Sequence, residues 1–219
     1  MALKSLRIQV SLALAACVIP LMAACSGESS ENSERRYIAK NFTELVITGL
    51  KDPKLQEFDR DVLERAKVSG RIEQADYDEA YSRFERCMAA SGKPVKLTKL
   101  SNGLYKIENQ PLSDGESIES AMSIVVKCQE GTINEIGELF GIQQGNPDLL
   151  ADADEVAYNC LAAKGIVNSN FSKDDLKKAF NDPGNGKRGL KDRLPFDPYS
   201  DEAQACFVGA NMAVGQGRS

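Results

Sequence analysis

Six cysteines, four of them beyond the N-terminal segment that holds Cys17 and Cys25, in a chain of 219 residues without one histidine constrain this fold more than any other feature. Cys87, Cys128, Cys160 and Cys206 are widely spaced, so what they do depends on the compartment. The N-terminus speaks to that. Lys4 and Arg7 give a basic start, Ile8 to Leu21 is mostly apolar, and Leu21-Met22-Ala23-Ala24-Cys25 closes the segment. A basic start, an apolar run and small residues before the cut are the layout of a secretory signal. A cysteine directly after those small residues has the form of a lipobox. Cys25 is therefore the expected site of diacylglycerol attachment and the first mature residue, although Met22 departs from the usual Leu, Val or Ile. The apolar run is short for a transmembrane anchor, which takes about 20 residues, and Pro20 interrupts it. Plain secretion after Ala24 is the nearest alternative. The expected location is the extracytoplasmic face of the cell membrane, where two acyl chains hold stably and one does not.

The segments follow from composition. Residues 1–24 read as the lipoprotein signal peptide and 25–34, which carry no apolar residue after Cys25, as a flexible tether. Residues 35–219 then remain, enough for a single domain with a real core. The chain has 27 basic and 32 acidic side chains, and two of the basic ones leave with the signal. That net acidity argues against nucleic acid and against general affinity for an anionic surface, and it names no partner.

Cys17 is expected to leave with the signal and Cys25 to carry lipid, and in an oxidising compartment the even set of four that remains favours two disulfides. Zinc wants close cysteine or histidine pairs, and neither is present, so no metal is expected. A thiol nucleophile would need an activating histidine or a strongly electropositive setting. Four cysteines allow three pairings. An internal echo bears on the choice: Cys87-Met88-Ala89-Ala90-Ser91-Gly92 resembles Cys160-Leu161-Ala162-Ala163-Lys164-Gly165, and Cys128 and Cys206 are each followed three residues later by glycine. If these mark two related halves, about 35–145 and 146–219, the bridges are Cys87–Cys128 and Cys160–Cys206. The bland account is that helices commonly end in glycine.

The succession of a lipobox, Cys87-Met88 with Gly92, Cys128, Asn146-Pro147, and Cys160-Leu161 with Gly165 resembles uncharacterised lipoproteins of high-GC Gram-positive bacteria. The resemblance spans most of the mature chain, but its motifs are structural. It implies placement in the envelope and brings no activity to any residue.

Helical spacing dominates the rest. Leu55, Phe58, Val62 and Ala66 recur at a period of 3.6 behind Asp52-Pro53, which suits a cap and first helical position. Tyr77, Ala80, Tyr81, Phe84, Cys87 and Met88 share the next face, which ends at Gly92. Val95–Leu100 and Leu104–Ile107 flank Asn102-Gly103, a pair that predicts a type I′ hairpin. Further helices are expected over Glu116–Gln129 and Ile133–Phe140, from Asn146-Pro147-Asp148 through Leu161, after the cap-like Ser172, and after Ser200. Asn181 to Tyr199 reads as irregular. The fold class expected is α-rich α+β, a single helical domain with one β-hairpin, two echoing halves and two disulfides.

No constellation points to catalysis. Without histidine there is no Ser-His-Asp triad or Cys-His pair, and there is no phosphate loop or nucleophile elbow. Asp148, Asp152, Asp154 and Glu155 cluster, as do Asp174 and Asp175. A carboxylate pair can serve glycosidic catalysis and a cluster can hold calcium, but acids at a helix start are ordinary dipole partners. The basic group Lys187, Arg188, Lys191 and Arg193 is a candidate contact for a wall polyanion or an acidic partner. No catalytic residue and no cofactor are expected. The expectation is a lipid-anchored cell-envelope protein acting as a non-catalytic binding or accessory module for an envelope complex or transporter. The alternatives are a wall hydrolase using paired carboxylates and a small solute-binding lipoprotein.

Overall fold

Caps and positive-φ residues set the element boundaries in the computed structural model, which describes residues 36–182 and 189–214. The expected signal (1–24) and tether (25–34), with Cys25, and also Lys187 and Arg188 lie outside the described residues. Asn41 caps α1 (Phe42–Gly49) by accepting from the Glu44 amide at 3.0 Å. This helix has only Val46 buried, so its sequence shows too little periodicity to be anticipated. Asp52-Pro53 opens no helix. Asp52 accepts from the Lys54 amide at 2.8 Å and closes a turn instead. α2 (Glu57–Ser69) starts four residues later, behind Gln56, and stops at Gly70 with φ 77°. α3 (Gln74–Ala90) carries the aromatic face as expected, with Tyr77, Ala80, Tyr81, Phe84 and Met88 buried.

The hairpin pairs β1 (Val95–Lys99) with β2 (Tyr105–Asn109), antiparallel, Leu97 opposite Ile107. Its loop is not type I′. That turn needs positive φ at both central residues, and only Gly103 has it, at 81°. The Gly103 amide donates to the Leu100 carbonyl and the Leu100 amide to the Leu104 carbonyl. The result is a three-residue loop closed by one left-handed glycine. The reason is tertiary. Asn102 is spent on the rest of the protein, its Nδ2 donating to the Ala205 carbonyl at 2.8 Å.

α4 (Ile118–Gln129) begins behind Ser117, and α5 (Asn134–Gly145) runs further than its apolar pattern suggests. Asn146-Pro147-Asp148 does not start the next helix. The Asn146 side chain clasps Leu150 both ways, donating to its carbonyl at 2.8 Å and accepting from its amide at 2.9 Å. That clasp bends the chain so sharply that Leu149 takes φ 55°. α6 (Ala153–Ala163) follows behind Asp152, α7 (Lys173–Asn181) behind Ser172, and α8 (Asp201–Gly209) behind Ser200. Among the described residues the fold is thus α-rich α+β, with one two-stranded hairpin.

Two apolar cores form. The first gathers α1 to α5 and the hairpin around Tyr77, Phe84 and Phe140; the second gathers α6 to α8 around Leu161, Leu176 and Phe207. Each core has its own bridge, Cys87–Cys128 joining α3 to α4 and Cys160–Cys206 joining α6 to α8. These are the pairs the two-half reading expects. The first members of the echo are geometrically equivalent. The Lys93 amide donates to the Met88 carbonyl across Gly92, and the Ile166 amide to the Leu161 carbonyl across Gly165, the same glycine-closed helix end. Met88 and Leu161 are buried in both.

The second members differ. Gly131, with φ 71°, follows the extended cap Glu130 beyond α4, whereas Gly209 stays inside α8 and Asn211 takes the left-handed turn at φ 56°. Gly209 is glycine for another reason: a Cβ on it would lie 2.8 Å from the Gly145 Cα, and one on Gly145 would lie 2.2 Å from the Gly209 Cα. This backbone contact joins the cores, and the Asn102 bond helps. So does the strand-like pairing of residues 36–38 with Leu149–Ala151, where the Ile38 amide donates to the Leu149 carbonyl at 2.8 Å. The described residues, 36–182 and 189–214, belong to one compact unit.

Candidate functional site

α4 is the helix with the least cover. Its inner side is fixed by Cys128, fully buried in its bridge, and by Ile124 packed on the first core. Its outer side carries Ile118, Met122 and Val126, exposed by 69%, 51% and 49%. Spacing of four residues puts all three on one face, a stripe about 12 Å long at 1.5 Å per residue. Ordinary surface apolars occur singly. These are contiguous.

Beside the stripe lies a groove of about 270 Å³ whose walls include Met88, Pro94, Val95, Leu112, Ile118 and Met122. Its polar lining comes from Asn109, Gln110 and Lys93, the last paired with Glu116. The groove exists because residues 110–117 run from β2 to α4 without a helix or strand that would roof it. It is smaller than the pockets that enclose whole small-molecule ligands, about 300–1,000 Å³, and matches one or two inserted apolar side chains.

At the other end of α4, Val126 also borders a second pocket, of about 320 Å³. Asp52, Asp59, Glu130 and Glu135 line it together with Leu55. Asp59 is the unusual member. It is 2% exposed, its Oδ2 accepts from the Gln56 amide at 3.2 Å, and its Oδ1 has no hydrogen-bond partner. Burial pushes the Asp59 carboxyl above the usual range despite the Gln56 amide and Arg83. Glu135 is raised too, by burial first and then by Glu138, Asp52 and Asp59. Lys54 reaches Glu130 at 3.6 Å at the mouth, with both side chains largely in water. Arg83 is held elsewhere, paired to Glu79 at 2.8 Å and stacked on Phe58 at 3.8 Å.

Of the basic group singled out from sequence, Lys191 pairs with Asp197 at 3.3 Å, and Arg193 donates to the Asp182 carbonyl. The described members of that group are therefore tied to their own loop. Asp152 is the cap of α6, accepting from the Asp154 and Glu155 amides, and it meets Lys173 of α7 at 2.8 Å. Lys173 holds its carboxyl below the usual range. Asp175 closes a capping box with Ser172. These acids organise helix starts. Asp148 sits in the Asn146 turn, outside α6. Among the described residues no group of three or more acidic or cysteine side chains is placed to hold a metal, and no helix is long and apolar enough to cross a membrane.

Sequence reasoning missed the acidic pocket because its members come from four elements. One signal was there. Asp59 falls four residues after Leu55 and three before Val62, a charge on the apolar face of its own helix.

No family model, curated protein or solved structure matches this chain.

Proposed function

We propose that this chain is an exported, lipid-anchored envelope protein that acts as a non-catalytic binding module, docking a partner protein along the outer face of α4. The observation that carries the reading is the continuous apolar stripe Ile118–Met122–Val126 beside a partly polar-lined groove of side-chain size. An apolar centre ringed by polar groups is the anatomy of a protein interface. The two disulfides support an extracytoplasmic location, since such bridges persist in oxidising compartments. The lipobox supports anchoring through Cys25.

A photo-reactive amino acid at position 122 on intact cells tests the docking. A protein adduct that is lost with Ile118→Ser, and absent when the probe sits at position 177 in α7, supports it. Adducts with lipid alone, or equal capture at both positions, overturn it. Labelled palmitate entering the wild type but not Cys25→Ala tests the anchor.

A wall hydrolase is the second reading, and the convergence of Asp59 and Glu135 in one pocket favours it. Against it, Asp59 lines the pocket with only 2% of its surface exposed and already accepts a backbone amide, so it offers a bulky polymer little of its carboxyl. A substrate polymer also needs an open cleft flanked by both carboxyls. Release of soluble fragments from purified wall, lost with Glu135→Gln, would establish the hydrolase instead.

A further inference from the structure

The acidic pocket and the apolar stripe share Val126, so whatever lies along α4 from Ile118 onward arrives at the mouth of the pocket. We propose that the pocket receives the basic head of a lysine or arginine side chain carried by the segment docked on α4. This rests on the docking reading above and specifies the chemistry of its partner: an apolar face ending in one cation.

Three observations support that occupant. A buried carboxylate oxygen without a partner is costly and is satisfied by a charge-assisted donor; Asp59 Oδ1 is such an atom. The charges acting on Asp59 are Asp52 and Arg83, and Arg83 is paired with Glu79; Glu130 and Glu135 line the same pocket, and its one lysine, Lys54, is engaged with Glu130. The walls also include Leu55 and Val126, which suit the aliphatic stem of a long basic side chain. A bare metal ion fits less well. It wants several carboxylates already converged, and the pocket is far larger than an ion.

Occupation is linked to protons. A cation favours the ionised carboxyls, so binding tightens as pH rises from acidic to neutral.

The test uses n-butylguanidinium as the probe and neutral n-butylurea as its isostere. Each is titrated into the full exported chain in mild detergent while the amide resonances of Gly131, Asn134 and Glu135 are followed. Saturable shifts with the guanidinium, none with the urea, and affinity weakened roughly tenfold by Asp59→Asn support the pocket. Glu135→Gln serves as the second variant, since Asp59→Asn also alters the start of α2. Equal response to both probes, or unchanged affinity in both variants, overturns it. Ile118→Ser, with the photo-reactive residue kept at position 122, separates the two ideas. Loss of the cross-linked partner with probe binding intact is expected. A partner still captured as strongly in Asp59→Asn cells keeps the α4 docking reading and ends the claim that its cation enters the pocket. No partner capture by the wild type, with probe binding intact, ends the docking reading and with it the claim that a docked segment supplies the cation, while the pocket's affinity for a cation stands.

Discussion

The two disulfide-bridged halves start alike and finish differently. In each, a helix ends at a left-handed glycine, the residue after the first cysteine is buried, and the second cysteine lies on a later helix. What lies between the cysteines decides the outcome. In the second half α7 fills the interval and packs against α6, so that Leu176 and Ala179 close the core. In the first half the interval is a hairpin and an uncovered connection, and α4 packs chiefly on α3. One half is roofed. The other keeps an apolar helix face and an acidic pocket at the surface. The lesson is that a bridge fixes where two helices meet but not what covers their far sides.

The bridges give the largest expected effects. They close intervals of 41 and 46 residues, so replacing either pair by alanine should cost about 4 kcal/mol in the chain-entropy account. Equal losses by chemical denaturation fit two equivalent staples. A much smaller loss for Cys87/Cys128 would break the equivalence and show that α4 is held by other contacts. Next is the joint between the cores. Gly145→Ala forces a methyl against the Gly209 backbone, and about 3 kcal/mol of destabilisation should appear. If the halves then unfold in two separate transitions, this joint is what couples them.

Two acids should respond with opposite signs. Asp152→Ala removes a helix cap and should cost about 1 kcal/mol at neutral pH. Because the folded Asp152 carboxyl sits below its unfolded value, its share is present above the ordinary aspartate range and is lost as pH falls. The carboxyl is partly exposed, so screening reduces that share. Asp59→Asn should stabilise at neutral pH by about 1 kcal/mol, since it removes a charge that burial disfavours while an amide oxygen can still accept from Gln56. Here the folded carboxyl sits above its unfolded value, so the native state holds its proton longer. The wild type then loses stability as pH climbs from the ordinary aspartate range through the raised value, and the gain from Asn should vanish in acid. Melting temperatures across pH read both. The smallest effect is Met122→Ser, within about 0.5 kcal/mol of wild type because the side chain is half in water. A large loss there would mean that the stripe is covered by the chain itself.

Much of the second half could be read from local chemistry. Ser172 with Asp175, Ser200 before α8, and Leu161 beside Cys160 are all short-range signals that the fold keeps. The first half was harder. α1 has one buried residue and no stripe, Asp52-Pro53 offered a false start, and the Asn102-Gly103 turn yielded its geometry to a bond with Ala205. Asn146-Pro147-Asp148 looked like a helix start because the clasp on Leu150 is invisible until that backbone has folded back.

By itself the sequence determined helix periodicity, the hairpin, an even set of cysteines suited to bridging, and the expectation of export. Each depends on residues close in the chain, or on residue type alone. Only the tertiary structure decided which helix face went uncovered and which carboxyls met beneath it. Burial and charge proximity are properties of elements brought together from far apart, and no periodicity within one element encodes them.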